Sequence, residues 1–145
     1  MKVRLLIVDD EADIRNMLSR HFRDHGYDVG VAEDGVVALE LLEQASYQVV
    51  ISDIAMPQMT GVQLLETIRQ QYPMIHIIMM TGYVTLEKVL ACMRQGADTC
   101  ILKPIENLVE MQTAVEDAVH SLKRWQEKLK VLQAMNPTIR EGLHA

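Results

Sequence analysis

Val49-Val50-Ile51-Ser52-Asp53-Ile54-Ala55-Met56-Pro57 is an apolar run that stops at a carboxylate and then turns at a proline. Consecutive bulky aliphatic residues suit a strand covered on both faces, and such strands belong in parallel sheets. Three more runs share the design. Leu5-Leu6-Ile7-Val8 stops at Asp9-Asp10, Ile77-Ile78-Met79-Met80 at Thr81, and Ile101-Leu102 at Lys103. In a parallel sheet the carboxyl ends share one edge, where open α/β sheets place their ligand sites. Three carboxylates, a hydroxyl and an ammonium gathered there read as a site for a divalent metal and a phosphoryl group.

The intervening segments carry helical spacing. Ile14, Met17, Leu18 and Phe22 mark one helix face, closed at His25-Gly26. Residues 27–31 alternate as a second strand, and Asp34-Gly35 opens a helix with Ala38, Leu41, Leu42 and Ala45 on its apolar face. A turn at Met56-Pro57 and Gly61 leads to a helix with Leu64, Leu65 and Ile68, which Pro73 separates from the next strand. Leu86, Val89, Leu90 and Met93 recur at i, i+3, i+4, i+7, and Gly96 closes that helix. Strand and helix alternate five times, which implies a parallel sheet with right-handed crossovers.

The last helix is long. Leu108, Met111, Val115, Ala118, Leu122, Trp125, Leu129 and Leu132 keep an unbroken 3-4 spacing until Asn136-Pro137 stops it. As far as Leu122 the stripe can pack on the sheet. Beyond it the expected partner is the same helix of a second subunit, the alternative being a helix folded back on its own domain. The chain therefore divides into a domain over residues 1–122 and a helical extension over 123–145.

Composition narrows the function. At 145 residues with 4% aromatics, the chain suits one aliphatic α/β core plus an appendage. Residues 1–122 carry a net charge of −9, which argues against nucleic-acid binding by the main domain, whereas residues 123–145 carry +3. No apolar stretch approaches the ~20 residues of a membrane span. The amino terminus runs straight into a strand without a signal-peptide layout. Two cysteines, Cys92 and Cys100, fit reduced thiols, so a cytoplasmic protein is expected.

Val8-Asp9-Asp10-Glu11, Ala32-Glu33-Asp34-Gly35, Asp53-Ile54-Ala55-Met56-Pro57 with Gly61, Met80-Thr81-Gly82, Gly96-Ala97-Asp98 and Lys103-Pro104 together resemble the receiver domain of bacterial two-component response regulators. The resemblance covers about residues 3–122. It implies a flavodoxin-like α/β fold, with a five-stranded parallel sheet in the order 2-1-3-4-5 and helices on both faces. It also implies a signalling switch rather than an enzyme, whose only chemistry is its own phosphoryl transfer and autodephosphorylation. Asp53 matches the phosphoacceptor, a carboxylate nucleophile that forms an acyl phosphate. Asp10, Asp53 and the main-chain carbonyl of Ala55 match direct Mg²⁺ ligands, and Asp9 a ligand acting through water. The charges agree with those roles, since three adjacent carboxylates would raise one another's pKa unless a cation sat among them. Lys103 would stabilise charge during transfer, Thr81 would hydrogen-bond the phosphoryl group afterwards, and the Lys103-Pro104 bond is often cis in the family.

Implied partners are a sensor histidine kinase or phosphotransfer protein, and either a downstream protein or an output domain beyond the given chain. Contacts would change through the fourth helix, fifth strand and fifth helix.

Several residues depart from the pattern or stand apart from it. Cys100 occupies the position of the usual switch aromatic and is expected as a small buried packing residue rather than a redox thiol. Tyr83, two residues past Thr81, either shields the acyl phosphate from water or faces solvent. His21 and His25 at i, i+4 are expected as a solvated surface pair rather than half a metal site. The ten methionines, Met79-Met80 among them, read as core filler. An aspartate-nucleophile phosphatase is the alternative function, but neither Glu11 nor Ala12 supplies its Asp-x-Asp pair. A flavodoxin-like electron carrier would set Asp9-Asp10-Glu11 against the flavin phosphate.

Overall fold

The structure, a computed structural model, describes residues 2–82 and 85–135. Among these, five strands and five helices alternate: β1 (Arg4–Val8), α1 (Ala12–Asp24), β2 (Asp28–Ala32), α2 (Gly35–Gln44), β3 (Val49–Asp53), α3 (Gly61–Gln71), β4 (His76–Thr81), α4 (Leu86–Arg94), β5 (Thr99–Leu102) and α5 (Val109–Met135). The strands form one parallel sheet in the order β2-β1-β3-β4-β5. This is the α/β class and strand order that the resemblance implies. No helix among the described residues is long and apolar enough to cross a membrane.

Side-chain alternation along the strands builds two cores. Leu6, Val8, Val50, Ile77 and Met79 pack with Ala38, Leu42, Leu64, Leu65 and Ile68 of α2 and α3. Leu5, Ile7, Val49, Ile51, Ile78 and Met80 pack with Leu18 and Phe22 of α1 and with Met111 and Val115 of α5. β3 lies at the centre with all five residues buried, so its run of apolar residues has no polar face to show. Each of these fully buried aliphatic side chains contributes about 1.5–3 kcal/mol relative to exposure.

Local chemistry then sets where α3 starts. Thr60 and Gln63 form a reciprocal capping box at its amino end. The Gly61 amide donates to the Ile54 carbonyl at 2.8 Å. A Cβ at position 61 would collide with the main-chain carbonyl of Asp53. Only glycine lets α3 press this closely against the acid-bearing end of β3.

The structure corrects four local expectations. β2 runs one residue later than residues 27–31, because the Tyr27 amide donates to the Phe22 carbonyl at 3.1 Å and the ladder with β1 starts at Asp28. Met17 is 36% exposed rather than part of the buried face of α1. The Leu86/Leu90/Met93 stripe marks a helix correctly but does not mark its buried face. Those residues are 73%, 43% and 45% exposed, and α4 buries Cys92 instead. His21 and His25 are not simply solvated. His21 Nε2 donates to Gln112 Oε1 at 2.9 Å, tying α1 to α5, while His25 Nδ1 donates to the His21 carbonyl at 2.7 Å.

Met79 and Met80 are fully buried, as the core-filler reading expects, whereas Met74 and Met135 are exposed. α5 buries Met111, Val115, Ala118, Val119 and Leu122, and then runs on to Met135 with Trp125 at 51% and Leu132 at 45% exposed. Asn136-Pro137 lies outside the described residues.

Candidate functional site

The ends of β1, β3 and β5 bring Asp9, Asp53 and Lys103 to one place. Lys103 Nζ lies 2.9 Å from Asp9 Oδ2, 2.9 Å from Asp53 Oδ2 and 3.2 Å from Glu11 Oε1. The peptide that follows Lys103 is cis. Asp9 is fully buried and Asp53 nearly so. The Glu11 amide donates to Asp9 Oδ1 at 2.8 Å, and the Ala55 amide donates to Asp53 Oδ1 at 3.2 Å. Asp10 is exposed and joins Asp53, Ala55, Gly82 and Lys103 in lining a cavity of about 540 Å³.

Electrostatics follow from this crowding. Ligand oxygens of Asp9, Asp10, Glu11 and Asp53 all fall within 4.8 Å of one another. Burial pushes the Asp9 carboxyl above the ordinary carboxylate range, against the pull of Lys103, and the Asp53 charge adds to the push. Burial lowers the Lys103 pKa, yet the contacts with Asp9 and Asp53 outweigh it and hold the ammonium well above the ordinary lysine range. Lys103 is therefore a permanent cation at neutral pH. One ammonium does not balance four carboxylates. Asp9 Oδ2 has the Lys103 charge beside it but, among the described residues, no partner in hydrogen-bond geometry. An all-oxygen donor set with one such under-satisfied buried oxygen fits a hard divalent cation.

Thr81 ends β4 beside this group. Its hydroxyl is 2% exposed and has no hydrogen-bond partner among the described residues. Its carbonyl accepts from the Lys103 amide at 2.7 Å, so the two strand ends are tied through their backbones. Cys100 is half-buried against the core on the α2–α3–α4 side, and burial pushes its thiol and that of Cys92 up. Tyr83 lies outside the described residues.

Sequence reasoning assigned no role to Glu11 and did not single out Arg15. Glu11 is the N-cap residue of α1 but makes no side-chain cap, and its carboxylate reaches Lys103 instead. Arg15 Nη1 donates to the Asp9 carbonyl at 2.7 Å from one turn into α1. A charged residue one position past the acid pair was the available signal for Glu11. Nothing in the sequence pointed to Arg15.

Comparison with known proteins agrees with this geometry. The family profile described as response regulator receiver domain matches residues 5–116. The chain belongs to that family. It is thus a signalling domain related to the receivers of longer regulators. Regulatory protein AtoC of Escherichia coli (strain K12) is 33% identical over 139 residues, which is 96% of this chain but 30% of AtoC. NtrX from Brucella abortus superposes with a TM-score of 0.82 at 27% identity, covering 92% of this receiver and 31% of NtrX. TrrA from Thermotoga maritima, solved in complex with Mg²⁺-BeF, superposes with a TM-score of 0.72 at 33% identity over 81% of this chain and 99% of its own. The receiver spans about three tenths of the length of the curated relatives it matches.

Proposed function

We propose that this receiver is a phosphorylation-dependent switch in which Asp53 takes a phosphoryl group from the phosphohistidine of a sensor histidine kinase or phosphotransfer protein. The observation that carries the reading is Lys103 Nζ lying 2.9 Å from Asp53 Oδ2 beside an under-balanced acidic cluster. An Asp53 oxygen attacks phosphorus, the P–N bond to the donor imidazole breaks with its electron pair going to nitrogen, and an aspartyl phosphate forms. Asp10, Asp53 and the Ala55 carbonyl would hold Mg²⁺ directly, with Asp9 acting through water. When bound, Mg²⁺ supplies two positive charges that offset the acids and the oxygens of the arriving group. Lys103 donates to those oxygens throughout. The Thr81 hydroxyl, buried and unpaired among the described residues, turns to the new dianion and shifts an existing equilibrium between two states.

The readout falls on α4, β5 and α5, where Leu86, Leu90, Met93, Leu102 and Val109 are exposed among the described residues. Cys100 lies beneath that surface in place of an aromatic, so the switch works without a rotating ring. Residues 1–122 form the switch, and the extension from 123 joins two copies through the Trp125–Leu132 stripe and leads toward an output domain. The chain's own chemistry is limited to accepting the phosphoryl group and losing it to water. Both cysteines are free, which accords with a reducing cytoplasm.

Incubation with acetyl phosphate and Mg²⁺ followed by intact-mass measurement tests the assignment. The wild-type chain gains one phosphoryl group and Asp53→Asn does not. An equal gain in both proteins, or steady turnover of a generic phosphate ester, rejects it.

A further inference from the structure

Lys103 Nζ faces three carboxylates within 3.2 Å and already donates hydrogen bonds to Asp53 and Glu11, so a phosphoryl oxygen competes with them for its N–H groups. One partner has to yield, and burial decides which. The Asp9 and Asp53 side chains are 0% and 7% exposed, whereas that of Glu11 is 59% exposed. Releasing a buried carboxylate leaves an uncompensated charge in a poor solvent, while releasing Glu11 hands it to water at little cost. Glu11 also lines the same cavity as Asp53.

Charge balance points the same way. With a divalent cation bound, Asp9, Asp10, Asp53 and Lys103 sum to zero. Glu11, an exposed residue of the cavity lining, is then the surplus negative charge. A free anionic phosphoryl donor meets that charge with nothing to offset it. A donor carried on a docked protein brings binding energy from elsewhere on its surface.

We infer that Glu11 is a positioning and selectivity residue: it holds the place on Lys103 that a phosphoryl oxygen takes, and it disfavours donors that arrive as free anions. This rests on the function proposed above and adds a residue to it.

The test compares wild type with Glu11→Gln, which keeps size and polarity, and with Glu11→Ala, which removes the contact as well. Both changes are at an exposed side chain, and circular dichroism confirms the fold. At saturating Mg²⁺, phosphorylation by acetyl phosphate is expected to rise about fivefold in both variants, with the gain shrinking as salt is raised toward 1 M. In metal-free protein, the Lys103 side-chain ¹⁵N signal is expected to shift and its protons to exchange faster in Glu11→Ala. Rates equal to or below wild type at saturating Mg²⁺ overturn the inference. So does a more than tenfold loss of Mg²⁺ affinity in Glu11→Gln, which would make Glu11 a metal ligand. Failure of the wild type itself to gain a phosphoryl group is a separate result that removes the underlying function.

Discussion

Lys103 Nζ and Asp53 Oδ2 lie 2.9 Å apart although fifty residues separate them in the chain. The pair exists because β3 and β5 flank β4 in a parallel sheet and end at the same edge. It also sets an energetic dependence, since the one buried ammonium serves two buried acids. Replacing Lys103 with Met leaves Asp9 and Asp53 facing each other. The expected cost is about 2 kcal/mol in metal-free protein by urea unfolding. Phosphorylation should slow by about 100-fold in single-turnover assays. Unchanged rates would remove Lys103 from the mechanism.

Thr81 gives the opposite separation of stability and function. Its buried hydroxyl has no partner among the described residues, so Thr81→Val deletes an unsatisfied group at nearly constant volume. Unfolding stability should stay within about 0.5 kcal/mol of wild type or rise. The response should nevertheless vanish, with phosphorylated Thr81→Val retaining the amide NMR spectrum of the unphosphorylated state around α4 and β5. A full spectral response in the variant would show that the hydroxyl is not the sensor.

The Asp9 carboxyl fixes the sign of a pH effect. Burial raises its pKa above the unfolded value, so its contribution to stability is present at low pH and fades as pH rises through the raised pKa. Lys103 is also raised, but its contribution is lost only above the ordinary lysine range and is flat between pH 5 and 8. As pH rises above the ordinary carboxylate range and Asp9 ionises, a divalent cation should therefore stabilise more. At ten times its Kd, Mg²⁺ should raise Tm by about 4 °C at pH 7.5 and by less at pH 5.5. Asp9→Asn should flatten the difference. A Mg²⁺ shift independent of pH in the wild type would contradict this account.

The exposed end of α5 makes a prediction about assembly. Lys128 sits over the Trp125 ring at 5.0 Å, covering one face, while Leu132 and Val131 stay open. In the proposed assembly this stripe would be covered by a second copy. Sedimentation at about 100 μM should find a dimer, and Leu132→Asp should weaken it by at least tenfold at about 1.4 kcal/mol per tenfold. A monomeric wild type under those conditions would reject the dimer.

The fold and the main site were legible in the sequence because their signals are local. Runs of aliphatic residues, helical spacing and the residue type at each strand end all lie within a short window, and a parallel sheet does the rest by aligning its ends. The same locality is why other features were hidden. The spacing of Leu86, Leu90 and Met93 reports a helix, but which side of α4 is buried depends on where that helix sits against the sheet. His21 meets Gln112 across ninety-one residues, and no pattern in either helix announces the contact.

What the sequence determined alone is the sheet, its acidic edge and the lysine that faces it. Only the tertiary structure decided that Glu11 completes the grip on Lys103, that Thr81 keeps its hydroxyl unpaired among the described residues, and that α5 loses its buried face after Leu122. Those facts depend on distances between elements. Periodicity in one segment carries no information about where another segment lies.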